Sequence, residues 1–308
     1  MTALAPNDLL TGLPAVRGRL IPEGALAPQS WFRVGGPAEL LFRPADVEDL
    51  ARLLEAWPSE MPVHVLGAAS NVIIRDGGVP GLVVRLARGF AEVEIERDGL
   101  IAGAAMLDVI LAEHAAAAGL TGLEFMSGIP GSVGGAVAMN AGAYGGDVSQ
   151  ALDWIEVVTG DGDLVRIPAK ALHLTYRHAM LPVGTVVARA RFRAQPGDPD
   201  AIAERMNQIR VSREATQPIR SRTGGSTFRN PPDMKAWELI DAAGCRGLII
   251  GGAQVSEKHC NFLLNLGEAT AADLENLGEE VRRRVLETSG VMLEWEIKRI
   301  GKKLGATP

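Results

Sequence analysis

The sequence predicts an α+β protein built of two regions in series, and three observations predict it. Up to about residue 196, short apolar runs of strand length dominate, with few helical stretches and abundant glycine. "QPGDPD" (Gln195–Asp200) then interrupts the pattern and reads as the best linker in the chain. Beyond it, helical periods are longer. The first region, β-rich and glycine-rich, is the one expected to hold a cofactor.

The elements follow in order. Residues 1–29 read as a leader. "AELLFRPADVEDLARLLEAWPSEMPVHVLG" reads as strand, helix, strand: Pro44 and Asp46 open the helix, and Leu50, Leu53 and Leu54 give it an apolar face. After the loop "GAASN", short β segments fall at "VIIR" and "GLVVRL". "AEVEIERDGLIAGAA" predicts a hairpin around Asp98-Gly99, and "LDVILAEHAAAAG" a helix closed by Gly119. A glycine-rich loop follows. "LDWIEVVTGDGDLVRIP" predicts a second hairpin, around Gly160-Asp161-Gly162, and "TVVARARFRA" a strand. Past the linker come helices near Ala201–Arg213 and Lys235–Ala243, strands at "GLIIGG" and "NFLLN", a long helix over Ala271–Ser289, and a closing strand in "VMLEWEIKRIG".

Composition narrows the functional classes. The 308 residues are 47% hydrophobic and 22% charged, as in an ordinary soluble protein with room for sizeable cores. With 31 basic against 37 acidic residues, the net charge of -6 argues against nucleic acid as a partner. The N-terminus lacks a basic start followed by a long apolar core, so no signal peptide is expected. Phe125–Gly146 runs 22 residues without a charge, the length of a membrane span, but Pro130, Asn140 and its many glycines favour a loop in a soluble domain. Cys245 and Cys260 form no C-x-x-C and no metal-like cluster, so two buried reduced thiols and no metal are expected. His259 precedes Cys260, but neighbours on a strand face opposite ways, which argues against a nucleophile pair.

Two loops carry the strongest chemical signal: "LGAASNVIIRD" (Leu66–Asp76) and "GIPGSVGGAVAMNAGAYGGDV" (Gly128–Val148). Glycine costs roughly 0.5–1 kcal/mol relative to alanine inside a regular element. Such density therefore implies that something approaches the backbone closely. Small residues let backbone N–H groups face an anion. Neither loop matches G-x-x-x-x-G-K-[ST] or G-x-G-x-x-G, which argues against a P-loop and a Rossmann site.

"WFRVGGPAELLFRP", "LGAASNVIIRDGGVPGLVVRL", "GLEFMSGIPGSVGGAVAMNAGAYGGDV", "YRHAML", "GGSTFRNP" and "LEWEIKRIG" occur in this order over about Ser30–Gly301. Together they closely resemble the UDP-N-acetylenolpyruvoylglucosamine reductase family of peptidoglycan synthesis. The resemblance implies the FAD-binding fold of the vanillyl-alcohol oxidase (PCMH) type over residues 30–196, in two α/β subdomains of about 30–97 and 98–196. It further implies an α/β substrate-binding domain over 200–301 and a tail over 302–308. Only about eight residues separate Arg177 from the next strand, so the chain resembles the form that lacks an inserted tyrosine capping loop.

The resemblance also implies the ligands. Gly67, Ala68, Ala69, Ser70 and Asn71 would form one FAD cradle, and Gly128, Ile129, Pro130, Gly131, Ser132, Gly135 and Ala136 the other. Neither loop offers a histidine or cysteine for a covalent flavin link, so FAD is expected to be dissociable. NADPH would be the co-substrate and UDP-N-acetylglucosamine enolpyruvate the substrate, in a cytoplasmic monomer. By residue-wise match, Ser226 would be the proton donor, Arg177 the arginine that stabilises enolate charge, and Glu296 the catalytic glutamate. Read alone, each has a plainer role: a turn serine, a solvated arginine, the wet face of a strand. Period-2 alternation puts Glu294 and Glu296 on one face, so the pattern by itself allows either. Asn230, Arg213, His259 and Asn261 are the expected substrate contacts. The basic stretch Arg205, Arg210, Arg213, Arg220, Arg222, Arg229 and Lys235 suits a diphosphate and a carboxylate, although a solvated helix face explains at least Arg205.

Two other classes compete. A flavin oxidase of the same fold would not be expected to pair "GGSTFRNP" with "LEWEIKRIG". A non-catalytic flavin- or nucleotide-binding sensor would not be expected to keep Arg177, Ser226 and Glu296 together.

Overall fold

The computed structural model describes residues 12–305, so the start of the leader and the end of the tail lie outside the described residues. The chain forms two compact units, and neither is a single stretch of sequence. One comprises the described residues up to Glu23 with Glu39–Ala68 and Gly81–Ser212; the other comprises Gly24–Ala38, Ala69–Pro80 and the chain from Arg213 onward.

The first unit holds two larger sheets. In the smaller, the strands run in the order Arg19–Gly24, Ala38–Arg43, Val79–Val84, Val63–Val65, the last two parallel. The predicted helix forms over Val47–Glu55, its N-terminus capped by the Asp46 side chain on Asp49 N. Leu50, Leu53 and Leu54 point inward with Leu40, Phe42, Leu82 and Val84. The larger sheet is antiparallel throughout, in the order Leu164–Pro168, Leu152–Val158, Val186–Arg193, Gly99–Gly103, Val93–Glu96. Both predicted hairpins are in it. In the first, Glu96 pairs with Gly99, so Arg97 and Asp98 make the turn. Helix Asp108–Ala117 packs on this sheet, and Gly119 beyond it adopts the left-handed φ of 65° that a helix end favours.

Two sequence readings change. The glycine-rich segment is not one open loop: it contains a 3-10 turn at Glu124–Gly128, a six-residue helix at Val133–Ala138, and a small ladder pairing Gly142–Ala143 with Gly146–Asp147. The predicted linker is also structured. Gln195–Pro196 pairs antiparallel with Leu120–Thr121, and the next helix, Pro199–Thr216, begins within it. Proline and glycine marked a real change of direction there, and the flanking ladder keeps it ordered.

The second unit has an antiparallel sheet ordered Arg222–Thr223, Leu263–Asn265, Ala253–Val255, Ile249–Ile250. Helix Ala271–Ser289 packs on it, opened by a Thr270–Asp273 capping box and closed by Gly290 at φ 72°. A Cβ on the mid-helix Gly278 would overlap the Trp295 ring, which is why a helix-weakening residue stands there. The closing strand is shorter than its pattern suggested. Only Lys298–Ile300 joins a ladder, parallel to Val72–Ile74, while Trp295 makes a single bridge to Phe228. Phe32, Ile73, Phe228, Leu263, Leu274 and Leu293 share the core. Cys245 and Cys260 are free and buried, and burial pushes both thiols up. His259 and Cys260 lie in a turn rather than a strand; the Cys260 thiol donates to the Trp237 carbonyl. Among the described residues, no helix is long and apolar enough to cross a membrane.

Candidate active site

In the first unit, Gly67 and Ala68 leave the strand Val63–Val65, and residues 128–136 form a second turn. A Cβ on Gly67 would overlap Ser132 Oγ, so any side chain here would have to displace that hydroxyl. The Ser132 hydroxyl is buried and has no hydrogen-bond partner. An orphaned hydroxyl beside glycines, with no carboxylate on either loop, fits the binding of an anion such as the FAD diphosphate. Gly135 has room on its side-chain face, its Cβ position lying 3.6 Å from Ser132 Oγ. Gly128 is needed because the Tyr144 ring lies 2.7 Å from where its Cβ would be. Ala136 is buried, whereas Ile129 and Pro130 are half-buried at the turn.

Arg177 lies in the same unit, half-buried, on the short connection between Leu172 and Val186. Its φ is 56°, uncommon for a side-chain-bearing residue. The turn is fixed by reciprocal backbone bonds between Thr175 and His178, and by Asn140 Nδ2 donating to Thr175 O at 2.9 Å. The guanidinium carbon is 5.1 Å from the Tyr176 ring centroid. Its Nη1 lies 3.4 Å from the Cβ position of Gly142, within contact distance of the glycine-rich segment.

The second unit gathers the other predicted residues. Ala69 is buried with φ 51°, and its carbonyl accepts from Trp31 N at 3.2 Å. Ser70 and Asn71 follow. Asn71 Nδ2 donates to the Glu296 carbonyl at 3.3 Å, and Lys298 N donates to Asn71 O at 3.1 Å. Asn71 Oδ1 is buried without a partner, 3.5 Å from the Cβ position of Gly225. Glu296 N in turn donates to Thr227 O at 2.8 Å, and Thr227 N to Asn261 O at 2.8 Å. Ser226 and Glu296 are therefore attached to the same backbone stitch, one residue away from it or on it. Glu294, which the alternation left equivalent, is different: its side chain is 76% exposed, with Oε2 3.9 Å from Arg229. Glu296 is half-buried.

The four expected substrate contacts diverge. Asn261 is buried and both ends of its amide are engaged with Phe228, Oδ1 accepting from N and Nδ2 donating to O. It holds the Ser226 segment. Asn230 is exposed and its Oδ1 accepts from Ala236 N, tying the next helix. His259 is wedged edge-on between Trp237 and Phe262, and burial pulls its pKa down, favouring neutral imidazole. Arg213 bonds Gln217 within the last turn of its helix. Members of the basic stretch have separate partners. Arg205, taken as a solvated side chain, reaches the Tyr144 carbonyl, and Arg222 the Gly267 carbonyl. Arg220 lines a cleft of about 600 Å³ with Lys258, Gln217 and Ser256.

Sequence reasoning missed two buried polar groups beside these segments: the Thr227 hydroxyl and the Asp108 carboxyl, neither with a partner. The one signal for Asp108 was an acid opening a largely apolar helix, "LDVILA", which reads equally as a favourable helix-start charge.

Comparison with known proteins places these features in a family. A description of the UDP-N-acetylenolpyruvoylglucosamine reductase C-terminal domain matches residues 217–300, and one of an FAD-binding domain matches residues 38–168. The chain is 66% identical to the UDP-N-acetylenolpyruvoylglucosamine reductase of Acidiphilium cryptum, over 98% of this chain and 97% of that one. It resembles the crystal structure of the Thermus caldophilus UDP-N-acetylenolpyruvylglucosamine reductase with a TM-score of 0.79 at 36% identity, covering 93% and 100% of the two chains. A similar fold recurs in 6-hydroxy-D-nicotine oxidase from Arthrobacter nicotinovorans, with a TM-score of 0.57 at 12% identity over 94% and 90%.

Proposed function

The chain belongs to the UDP-N-acetylenolpyruvoylglucosamine reductase family, and from that premise we propose how its residues divide the work. It is an FAD-dependent oxidoreductase that uses NADPH to reduce UDP-N-acetylglucosamine enolpyruvate to UDP-N-acetylmuramate in peptidoglycan synthesis. When bound, FAD would supply the hydride-transfer chemistry that links NADPH to the terminal methylene carbon of the enolpyruvyl group.

The protein's residues supply the rest. Gly67–Asn71 and the Gly128–Ala136 turn would hold FAD non-covalently, the Ser132 hydroxyl and backbone N–H groups offering donors to the diphosphate. Arg177 grips the substrate carboxylate with a forked donor and stabilises the charge that develops there. Ser226 gives its proton to the carbon beside that carboxylate. A hydroxyl is a weak acid, so it can do this only when held close and when its alkoxide is stabilised. Glu296 is the catalytic glutamate of the site. Asn230, Arg213 and His259 contact the substrate, and Asn261 acts by fixing Phe228. Residues 30–196 form the FAD-binding domain and 200–301 the substrate domain. The enzyme works as a monomer in the cytoplasm, where soluble sugar nucleotides and NADPH are found, and its product serves cell shape and division.

One observation carries this reading: the backbone stitch Asn71–Glu296–Thr227–Asn261, which ties a cofactor loop, the glutamate and the serine segment together inside one compact unit. Ser226→Ala separates the half-reactions. Bleaching by NADPH should stay near wild-type speed, while reoxidation by the enolpyruvyl substrate should slow on the order of 10²–10⁴-fold. Rapid-mixing spectroscopy reads both. Equal slowing of the two steps would instead make Ser226 a structural residue.

A further inference from the structure

The turn at Gly131–Ser132 is backed by a carboxylic acid that the reaction does not use. Residues 104–108 run along it: Val133 N donates to Met106 O and Gly134 N to Ala104 O, both at 2.9 Å, and Asp108 N donates to Gly131 O at 3.2 Å. Leu107 bridges Ser132. The Asp108 side chain is fully buried, and neither carboxyl oxygen has a hydrogen-bond partner. Its Oδ2 lies 2.5 Å from where a Cβ would stand on Gly131. The missing side chain of Gly131 thus makes room for this acid, and the turn carries a second orphaned polar atom in Ser132 Oγ.

We propose that Asp108 is a positioning residue for the cofactor turn, its buried carboxyl group backing Gly131 and setting the turn to receive the anionic diphosphate of FAD. The role rests on reading the turn as an FAD cradle. A negative charge buried behind groups that must meet a diphosphate would oppose binding, whereas a neutral acid would not. Burial pushes the Asp108 carboxyl well above the usual carboxylate range, and no charged group contributes to that displacement. The elements packed on its helix are Gly99–Gly103, Leu120–Thr121 and Glu124–Gly128. Their one titratable side chain, Glu124, is tied to Thr121 Oγ1 and Gly122 N. The helix itself carries Glu113 and His114, and the turn and the short helix Val133–Ala138 carry no titratable group.

The sign of the pH dependence follows. A carboxyl whose folded pKa is raised destabilises the fold progressively as pH climbs from the unfolded value to the folded one. Ionisation should also expel the anionic cofactor. The test measures FAD dissociation constants by flavin fluorescence, and melting of the flavin-free protein, for wild type, Asp108→Asn and Asp108→Ala between about pH 6 and pH 9.5. Wild type should lose about tenfold or more in FAD affinity across the range, while Asn, a neutral donor of the same shape, should stay nearly flat and match wild type at the acid end. Flavin-free wild type should lose melting temperature toward high pH relative to Asn. Ala should bind FAD weakly at every pH. Parallel wild-type and Asn profiles overturn the role of Asp108 while leaving the cradle standing, as does Ala binding FAD like wild type. A wild type that binds no FAD at any pH overturns the cradle and this role together.

Discussion

Arg177 reaches its position through a backbone conformation that most residues avoid, with φ at 56° in a turn closed by Thr175 and His178. Such strain concentrates where a side chain must be aimed. Lysine could occupy the same backbone and keep the charge, but it offers a point donor on a flexible stem. Arg177→Lys should therefore lower kcat/KM on the order of 10²-fold or more, read by steady-state kinetics, with FAD content unchanged; near-wild-type turnover would make the arginine peripheral. Gly131 makes a different argument at the same scale. The resemblance puts Gly131 in an FAD cradle, and the space its side chain would fill holds the Asp108 carboxyl. Gly131→Ala should weaken FAD binding about tenfold or more in wild type and distinctly less in an Asp108→Ala background, because contacting residues couple in a double-mutant cycle. Equal losses in the two backgrounds would show that the clash lies elsewhere.

At the scale of elements, local signals carried far. The capped helix at Val47–Glu55, both hairpins and the helix Ala271–Ser289 all stand where turn chemistry and period placed them. What escaped was set by distant partners. The strand ending in Ile300 is cut short because only three of its residues find a ladder partner, Val72–Ile74. The helix within the glycine-rich segment has the composition of a loop and forms because Val133, Ala136 and Val137 are buried in the core beside Met106 and Leu111. The three residues proposed as catalytic were legible only through resemblance, since no local pattern distinguishes Ser226 from a turn serine or Glu296 from Glu294. Helix Val47–Glu55 also gives a pH prediction. Asp49 is buried and accepts from Ala45 N, Arg17 N and Gly18 N. Burial pushes its carboxyl up, but these donors outweigh it and hold the group below its usual value. A depressed acid stabilises the fold above its unfolded pKa, and that contribution disappears as pH falls through the folded one. Asp49→Asn should lose about 1–3 kcal/mol near neutral pH, and its melting temperature should fall less than that of wild type between about pH 5 and pH 3. Calorimetry over that range checks both; parallel acid profiles would remove Asp49 from the account.

At the scale of the molecule, sequence order and compact units do not coincide. The second unit draws Phe32, Val34 and Ile73 into its core from the N-terminal part of the chain. A fragment of residues 213–305 should therefore show no cooperative unfolding transition and weak near-ultraviolet circular dichroism; a sharp transition would mean that this stretch folds without them. The parallel pairing of Val72–Ile74 with Lys298–Ile300 has a further consequence, for the protein as it is made. Asn71 and its partner Glu296 are 225 residues apart. At about 5–20 residues per second, the ribosome leaves roughly ten to forty-five seconds between synthesis of the first strand and of the second. Through that interval Val72, Ile73 and Ile74, all buried in the finished fold, have no ladder partner. They form a β-branched apolar run of the kind that promotes aggregation while it is exposed during folding. Termination anywhere before Lys298 leaves Val72–Ile74 without the only strand that pairs with them among the described residues.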